Sequence, residues 1–365
     1  MNEELIHLHV SEILIETSGT RHITAKTLVL QPVDNRPVRY RAGQFLTFVL
    51  HISGHEVRRS YSLSSTPGVD ADLRITIKRV DNGEVSRYLL DHVQVGDVLT
   101  SLPPLGRFVL ETSPGTPRDI VLMGAGSGIT PLFSILKQVL HEEPDSRVTL
   151  LYSNTSEHSV VFRDSLNALR QRHADRFRLI HLLSQPTGDG GLNGEVRRGR
   201  LNNLLLELML PGLTTFDRAD ARWYICGPGD YMRMVQFTLL FLGIKQEQIR
   251  KENFTVDVVS VPAISPERAR DHRIALTFRG TEYTLQVPAY QSILEAALGQ
   301  GIPLPYSCRG GRCSACAVRC RRGRVAMTIN DVLTENDLAN GWVLTCTGYP
   351  ESDDVQLFLE EIPDT

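Results

Sequence analysis

Cysteines are concentrated near the end of this 365-residue chain, in the stretch "YSCRGGRCSACAVRC". Cys308, Cys313 and Cys316 have the spacing C-x4-C-x2-C, Cys320 follows four residues later, and Cys346 lies further on in "GWVLTCTGYP". In a reducing compartment, cysteines grouped in this way are typical of metal ligands or redox groups rather than of disulfides. The spacing therefore predicts a sulfur-ligated site.

This spacing with a distant fourth cysteine is typical of a plant-type 2Fe–2S cluster, which needs four thiolates around two irons. Gly310 and Gly311 suit a loop that wraps a cluster closely and points its N–H groups at sulfur. A zinc site is the alternative, but such sites usually present two CxxC pairs and only one is present. Cys320 is a rival fourth ligand, or a packed thiol in the strand-like run "AVRCRRGRV". The predicted ligands are Cys308, Cys313, Cys316 and Cys346.

A second group of residues near the N-terminus has the chemistry of a flavin site. In "RRSYSLSS", the Arg59 guanidinium suits a pyrophosphate, the Tyr61 ring can lie on a flavin, and the Ser62 hydroxyl can reach a ring nitrogen. Alone this pattern is weak. Downstream, "ITIKRVDNGEVSRYLLD" runs through the segment 83–86 into a helix whose N-terminus could hold the pyrophosphate. Together the two motifs predict an FAD site.

The turn "GAGSGITP", residues 124–131, lies between an apolar strand and an amphipathic helix, which is the context of a dinucleotide-binding turn. Its spacing differs from the usual G-x-G-x-x-G. Further on, "YICGPGDYM" places Cys226, Gly227 and Pro228 at the end of another apolar strand, where open parallel sheets bind their ligands. Without that context, Cys226 would be interpreted as a buried thiol.

The elements that must position these residues fall into three regions. The first hundred residues alternate apolar and polar in runs such as "YRAGQFLTFVLHI" and "GDVLTSLPPLGRFVL", which predicts an all-β barrel or sandwich. Beyond Ser113, strands such as "RVTLLYSN" alternate with helical stretches, which predicts a parallel sheet flanked by helices. After "SVPAISPERARDH", which is typical of a linker, come a hairpin, a short helix and the cysteines. The predicted boundaries are 1–113, 114–259, a linker 260–272, and 273–365.

The composition excludes several classes of function. The net charge of −3 gives no indication of nucleic acid or membrane as a partner, and no run approaches the 18 apolar residues of a membrane span. The opening "MNEELIHLHVSEILIE" is not a secretory signal, so we expect a cytoplasmic protein.

The order of these motifs resembles the ferredoxin–NADP reductase-type flavoproteins that carry a C-terminal plant-type ferredoxin domain. The tail "GRVAMTINDVLTENDLANGWVLTCTGYPESDDVQL" is similar in particular to the reductase subunits of phenylacetyl-CoA epoxidase and, next, to 3-ketosteroid 9α-hydroxylase reductases. The resemblance implies an antiparallel β-barrel FAD domain, an α/β nicotinamide-binding domain and an α+β ferredoxin domain of the β-grasp type.

By the same resemblance, Ser62 and Cys226 would lie at the reacting flavin and nicotinamide. Phe254, in "RKENFTV", stands where relatives carry an aromatic residue near the flavin, although it could equally be a core phenylalanine. The residues implied to bind FAD are Arg59, Ser60, Tyr61, Ser62, Thr76, Lys78, Gly83, Glu84, Val85 and Ser86. Those implied to face the dinucleotide are Gly124, Gly126, Ser127, Gly128, Thr130, Pro131, Cys226, Gly227, Pro228 and Phe254.

Two features depart from the usual pattern. Close relatives often carry Asn-Arg after the strand that reaches the adenosine ribose, whereas here Asn154 is followed by Thr155, with Glu157 nearby and Arg163 as a substitute cation. The segment 306–324 holds six arginines and no acid, which predicts a basic face for an acidic docking patch. The arginines could instead pair with the acidic tail, or pack against the flavin domain of the same chain.

The expected function is to take a hydride from NAD(P)H onto FAD, and to pass single electrons through a 2Fe–2S cluster to a partner oxygenase. One alternative is a flavin oxidoreductase that acts directly on a small molecule, with the cluster as an internal relay. The other is a redox sensor, which has little use for a complete nicotinamide site.

Overall fold

The computed structural model describes residues 5–20, 22–188, 191–254 and 270–359. The chain divides into two compact units, Leu5–Glu252 and Asn253–Thr365. The predicted linker 260–272 lies mostly outside the described residues.

The first part of unit Leu5–Glu252 is an antiparallel sheet with the strand order β4-β3-β6-β1-β2-β5. Beyond β4, Leu63 forms an isolated bridge to Ile75 of β5, which brings the two edge strands of the sheet together. The strands are β1 (Ile6–Ser18), β2 (Ile23–Pro32), β3 (Phe45–Ile52), β4 (His55–Ser62), β5 (Leu73–Lys78) and β6 (Val98–Ser101), and helix α1 (Glu84–Asp91) lies between β5 and β6.

Alternation of apolar side chains produces the core of this sheet, in which Leu8, Leu28, Leu46 and Ile75 are fully buried. The strand expected in "GDVLTSLPPLGRFVL" is shorter than its apolar pattern, because β6 ends at Ser101. Two prolines follow at 103–104, and proline has no N–H to give to a ladder.

The second part of this unit is the predicted parallel sheet, with the order β10-β9-β8-β7-β11-β12 and every pairing parallel. Trp223 lies on β11 and is fully buried. The elements of this part are β7 (Asp119–Ala125), α2 (Ile129–Glu142), β8 (Arg147–Asn154), α3 (Arg163–Arg172), β9 (Phe177–Leu183), β10 (Glu195–Arg198), α4 (Asn203–Met209), β11 (Arg222–Cys226), α5 (Gly229–Phe241) and β12 (Ile249–Glu252).

Helix α2 joins the two sheets of this unit. The Ser134 hydroxyl donates to the Ser65 carbonyl at 2.5 Å, and the Thr66 hydroxyl donates back to the Ser134 carbonyl at 2.8 Å. One turn further on, the buried Lys137 ammonium pairs with Asp70. These buried polar contacts are satisfied on both sides, so they fix the helix against the antiparallel sheet.

Unit Asn253–Thr365 contains a mixed sheet with the order β14-β13-β19-β15-β17, in which only the central β13–β19 pair is parallel among the described strands. Arg279 and Gly280, both at positive φ, form the two-residue turn of the predicted hairpin. The described elements are β13 (His272–Phe278), β14 (Thr281–Val287), α6 (Ile293–Gly299), β15 (Ala317–Arg322), β16 (Val325–Met327), α7 (Glu335–Ala339), β17 (Trp342–Leu344), β18 (Gly348–Pro350) and β19 (Gln356–Phe358).

Candidate functional site

The motif R-x-Y-S forms the end of edge strand β4. The Ser62 side chain is buried, and its hydroxyl has no hydrogen-bond partner among the described residues. Tyr61 is half-buried beside Phe48, with ring centroids 6.2 Å apart, and burial raises the pKa of its hydroxyl. The Ser60 hydroxyl bonds Thr47 at 2.9 Å, so the side chain of Ser60 is used within the sheet. A buried hydroxyl without a partner fits a ligand atom that is absent here.

Neighbouring strand β5 carries the next two predicted residues, and they differ in what their side chains do. The Thr76 hydroxyl is used internally, because it bonds Thr27 at 2.7 Å and Ser64 at 3.3 Å. Burial lowers the pKa of Lys78, and its ammonium makes no hydrogen bond or ion pair among the described residues. It lies 3.2 Å from the point where a Cβ on Gly126 would be. Lys78 therefore brings a positive charge to the glycine turn.

Helix α1 begins at the predicted place, with Gly83 as its N-cap. A side chain at Gly83 would meet the Ser86 hydroxyl at 2.5 Å and Val80 at 2.8 Å, so glycine is required for this close turn. The Ser86 hydroxyl accepts from the Val80 N–H at 3.2 Å, while Glu84 is exposed and Val85 is buried. The first N–H groups of the helix have no intrahelical acceptors, which suits an anion such as a pyrophosphate.

The glycine turn connects β7 to α2 through a short 3-10 turn, Gly126–Gly128. Gly126 has φ +56°, and its carbonyl accepts from the Tyr152 hydroxyl at 3.0 Å. The Thr130 hydroxyl bonds the Ser127 carbonyl at 2.9 Å and holds the turn against the first turn of the helix. Pro131 lies within that first turn, where its missing N–H is not needed.

The glycine turn and the Cys226 strand are in direct contact. A Cβ on Gly128 would lie 2.1 Å from the Cys226 carbonyl oxygen, and one on Gly227 would lie 2.9 Å from the Ala125 side chain. β7 and β11 are neighbours in the sheet, and Gly124 pairs with Cys226 in their register. Pro228 caps helix α5. The two predicted nucleotide motifs therefore form one site at the carboxyl ends of adjacent strands.

Cys226 is fully buried, and burial raises the pKa of its thiol well above the ordinary value, with a smaller contribution from Glu252. It therefore remains a neutral thiol. Glu252, which the sequence motifs did not indicate, is opposite Cys226 in the pairing of β11 with β12 and is only 2 % exposed. A buried acid at the end of the nucleotide strands is a functional-site candidate. Only the strand order reveals it.

The predicted adenosine end of the nucleotide site begins where β8 ends. Thr155 is exposed, and its carbonyl accepts from the Gln185 N–H at 2.7 Å. Glu157 is buried, and hydrogen bonds from the Thr187 and Gly188 N–H groups lower its pKa to about 2, so its charge is held beside this strand end. Arg163, the substitute cation, contacts Asp164 at 3.4 Å.

Phe254 follows β12 by two residues and is 38 % exposed, which is more than a core phenylalanine would be. It belongs to unit Asn253–Thr365.

In the ferredoxin-like unit, four thiols come together. Hydrogen bonds from Cys313 and Cys346 lower the pKa of Cys308, and a hydrogen bond from Cys346 lowers that of Cys316. The same contacts raise the pKa of Cys313 and of Cys346. Among the described residues, no three His, Cys, Asp or Glu side chains form a site for a metal ion. The sulfurs are thus grouped, but not as the closed tetrahedron of a zinc site.

The loop around these sulfurs supplies backbone donors. The N–H groups of Gly310 and Arg312 point at the Cys308 sulfur at 3.4 and 3.5 Å, as the glycine-containing sequence predicted. Gly311 has φ +72°, and a Cβ there would lie 2.5 Å from the Ile329 carbonyl oxygen. Arg309 and Ser314 also have positive φ, which the sequence did not indicate. Grouped sulfurs with converging N–H groups fit a thiolate-held cluster, whose negative sulfurs need such donors.

Cys320 lies apart from the four grouped thiols. It is on β15, half-buried, and its thiol donates to the Arg322 carbonyl at 3.1 Å. Burial raises its pKa. Cys346, rather than Cys320, contacts the other cysteines.

Family models match three consecutive parts of the chain. An oxidoreductase FAD-binding domain matches residues 16–110, an oxidoreductase NAD-binding domain matches residues 122–237, and a 2Fe-2S iron-sulfur cluster binding domain matches residues 276–351. These matches give the chain its three cofactors, FAD, NAD(P)H and a 2Fe–2S cluster, and decide against zinc.

Relatives match along almost the whole chain. The 3-ketosteroid-9-alpha-monooxygenase ferredoxin reductase component of Mycobacterium tuberculosis is 34% identical over 99% of this chain and 98% of its own. The E component of 1,2-phenylacetyl-CoA epoxidase from Escherichia coli is 32% identical over 93% of this chain and 94% of its own. The crystal structure of phthalate dioxygenase reductase has the same fold, with a TM-score of 0.58 at 20% identity, covering 97% of this chain and 98% of that one.

The chain belongs to the family of modular reductases that join an FAD-binding, a nicotinamide-binding and a 2Fe–2S ferredoxin domain. It is an NAD(P)H-dependent flavin and iron–sulfur oxidoreductase, as the motifs predicted. In the described part of the chain, no helix is long and apolar enough to cross a membrane.

Proposed function

We propose that this chain is the reductase component of an oxygenase system, and that its electron acceptor is a separate oxygenase protein. The observation that carries the proposal is the grouping of four cysteine sulfurs in a chain that also holds a flavin and a nicotinamide domain. When bound, FAD supplies the conversion from two-electron to one-electron chemistry, and the cluster supplies one-electron storage. A chain that ends in a one-electron carrier suits a protein acceptor, and both full-length relatives described above are named as oxygenase components.

In this proposal, the FAD-binding residues hold the two ends of the flavin cofactor. The Arg59 guanidinium and the N–H groups at the start of α1 bind the pyrophosphate, Tyr61 packs on the flavin ring, and the unpartnered Ser62 hydroxyl bonds a ring atom. The proposed set is Arg59, Ser60, Tyr61, Ser62, Thr76, Lys78, Gly83, Glu84, Val85 and Ser86. Ser60 and Thr76 contribute their backbone, because their hydroxyls are used within the sheet.

The nucleotide-binding residues orient the nicotinamide rather than react with it. Cys226 packs as a neutral thiol near the reacting carbon, because burial keeps it protonated. Phe254 covers the flavin face in this proposal, and its 38 % exposure is compatible with that role. The proposed set is Gly124, Gly126, Ser127, Gly128, Thr130, Pro131, Cys226, Gly227, Pro228 and Phe254.

The fold of each domain completes the proposal. We assign a β-barrel to residues 1–113, an α/β domain to 114–259, a linker to 260–272, and a β-grasp ferredoxin domain to 273–365. The bridge between Leu63 and Ile75 supports closure of the barrel, and the parallel central pair β13–β19 supports the β-grasp. Six free cysteines support a reducing compartment such as the cytoplasm.

The proposed docking face is the group of arginines around the cluster loop, which would meet an acidic patch on the oxygenase. The structure gives several of them partners in the same chain. Arg322 pairs with Asp354 at 3.3 Å and Arg324 with Glu351 at 4.0 Å, as the alternative interpretation expected. Both arginines remain largely exposed, with side-chain accessibilities of 65% and 78%. Exposed ion pairs contribute little stability, so they can be exchanged for pairs with a partner.

The ligand assignment is tested by comparing two serine variants. Cys346→Ser should abolish or grossly shift the visible absorption of the cluster, because it removes one of four thiolates. Cys320→Ser is the matched control and should leave the spectrum nearly intact, because its thiol bonds the Arg322 carbonyl instead. An unchanged spectrum in the Cys346 variant would overturn the assignment.

A further inference from the structure

A cavity of about 450 Å³ lies in unit Leu5–Glu252, between helices α2 and α3 and the antiparallel sheet. Its size is within the range of small-molecule sites, which are often found where two domains meet. None of the residues predicted to bind FAD or the nicotinamide lines it. The residues used in the argument are Glu16, Asp70, Arg74, Phe133, Phe162 and Arg172.

One wall of the cavity is apolar and aromatic. The Phe133 and Phe162 rings are stacked, with centroids 4.4 Å apart and an interplanar angle of 17°. Phe162 has φ +59°, an unfavourable conformation for a bulky residue. Its N–H donates to Glu16 at 3.1 Å, which holds this backbone in place from the antiparallel sheet. The wall is therefore positioned by contacts from both sides of the cavity.

The acids that line the cavity are already used. Glu16 accepts hydrogen bonds from the Thr27 hydroxyl at 2.6 Å and from the Phe162 N–H. Asp70 accepts from the Thr66 N–H at 2.7 Å and pairs with the Lys137 ammonium. Neither carboxylate is available to neutralise another cation.

Two arginines that line the cavity have no such partner. Among the described residues, the Arg74 and Arg172 guanidinium groups make no hydrogen bond from their side chains and no ion pair, and Arg74 Nε is buried. The charge of Arg74 also helps to lower the pKa of Lys137, after the larger effect of burial. The cavity therefore combines a flat aromatic wall with unbalanced positive charge.

We propose that this cavity is a binding site for a small aromatic carboxylate, whose ring lies along the Phe133–Phe162 wall and whose carboxylate meets Arg74 and Arg172. Arginine is suited to this task because its fork of donors matches a carboxylate. The proposal does not depend on the identity of the oxygenase. Because the site is built from both sheets of the unit, the ligand would also stabilise their junction.

The test is equilibrium dialysis of the FAD-loaded protein against 2-naphthoate, with 2-naphthamide as the neutral analogue. We expect one equivalent of 2-naphthoate to bind and the amide to bind at least about tenfold more weakly, because charge-assisted hydrogen bonds are lost. Binding should raise the thermal unfolding temperature. It should neither release FAD nor be displaced by NAD⁺ or NADP⁺.

Three variants make the test specific. Arg172→Gln, on the exposed rim, should weaken 2-naphthoate binding about tenfold, and Arg74→Gln should do the same if it folds. Arg170→Gln lies on the same helix but does not line the cavity, so it should bind normally. Equal binding by the Arg172 and Arg170 variants, equal binding of the amide, displacement by nucleotide, or no saturable binding at millimolar concentration would each overturn the proposal.

Discussion

Thr155 controls the charge available to a nucleotide at the carboxyl end of β8. It is exposed, and the buried carboxylate of Glu157 lies two residues further on with its pKa lowered to about 2. A negative charge at this end of the strand disfavours the extra phosphate of NADPH. We therefore predict that the protein uses NADH at least as well as NADPH.

Thr155→Arg should raise the ratio of kcat/KM for NADPH over that for NADH, because a charge-assisted contact to phosphate contributes roughly 1.5–3 kcal/mol, or at least about tenfold. Thr155→Gln, which adds length without charge, is the control and should change the ratio little. A wild-type protein that strongly prefers NADPH would show that another cation, such as Arg163, supplies the phosphate contact.

At the residue scale, the sequence predicted side chains whose role is local, and missed those that depend on distant neighbours. The cysteine spacing and the Gly83 N-cap are local features, and the structure has both groups in place. Lys78 beside Gly126, and Glu252 opposite Cys226, join residues from different elements. No motif records which strands will be neighbours, so these pairs could not be read from the chain.

Helix α1, whose first turn is the proposed pyrophosphate site, is held at its other end by Lys26. The buried Lys26 ammonium donates to the Leu90 and Val93 carbonyls, both at 3.0 Å. A cation is favourable at a helix C-terminus, where carbonyl groups lack partners.

Lys26→Met should therefore destabilise the protein by about 1–3 kcal/mol, because it leaves buried carbonyls unpaired. Urea unfolding followed by circular dichroism would measure this loss, and FAD should also dissociate more readily. Lys245→Met, at an exposed position, is the control. Equal stability of the two variants would contradict a capping role for Lys26.

At the scale of elements, periodicity predicted most strands and the order of the three regions. β8 occupies the whole of the run "RVTLLYSN", and the hairpin β13–β14 forms around Arg279 and Gly280. The exception is β6, where apolar residues continue past the prolines but the ladder does not. Strand order within a sheet is decided by packing between distant segments, and a single sequence does not contain it.

A buried ion pair connects the two sheets of unit Leu5–Glu252 along the chain. Glu143, at the end of α2, accepts from Arg118 Nη2 at 2.6 Å and Nε at 3.2 Å, and from the Ser113 N–H at 3.0 Å. Burial opposes the charge of Glu143, but these hydrogen bonds outweigh it and lower its pKa. The segment between the sheets is thus tied to the helix by a charged carboxylate.

Because the folded pKa of Glu143 is below its unfolded value, its contribution to stability is present above the unfolded pKa and is lost as pH falls through the folded one. Glu143→Gln should lower the thermal unfolding temperature at pH 7 and reduce its decrease toward pH 4. Glu142→Gln, at the neighbouring and less buried position, should retain the wild-type profile. Parallel profiles for the Glu143 variant and wild type would contradict this role.

At the scale of the whole molecule, the arginines around the cluster loop should affect the reaction with the partner. Electron transfer to the oxygenase should slow as salt rises, because the screening length falls from about 10 Å at 0.1 M to about 3 Å at 1 M ionic strength. Arg322→Glu should slow it at low salt and flatten the salt dependence, with the cluster spectrum unchanged. Arg273→Glu, on β13, is the charge-matched control. A partner reaction indifferent to salt and to Arg322→Glu would leave these arginines with intrachain roles only.

The two tryptophans of the chain lie in different units, Trp223 on β11 and Trp342 on β17. Trp223 is fully enclosed, whereas Trp342 is half-buried beside Arg319. Each indole is therefore an optical reporter of one unit. In Trp342→Phe protein freed of its cofactors, ultraviolet emission would follow the nucleotide-binding sheet alone. Comparing its denaturant midpoint with that of the native pair would show whether the two units melt together or in succession.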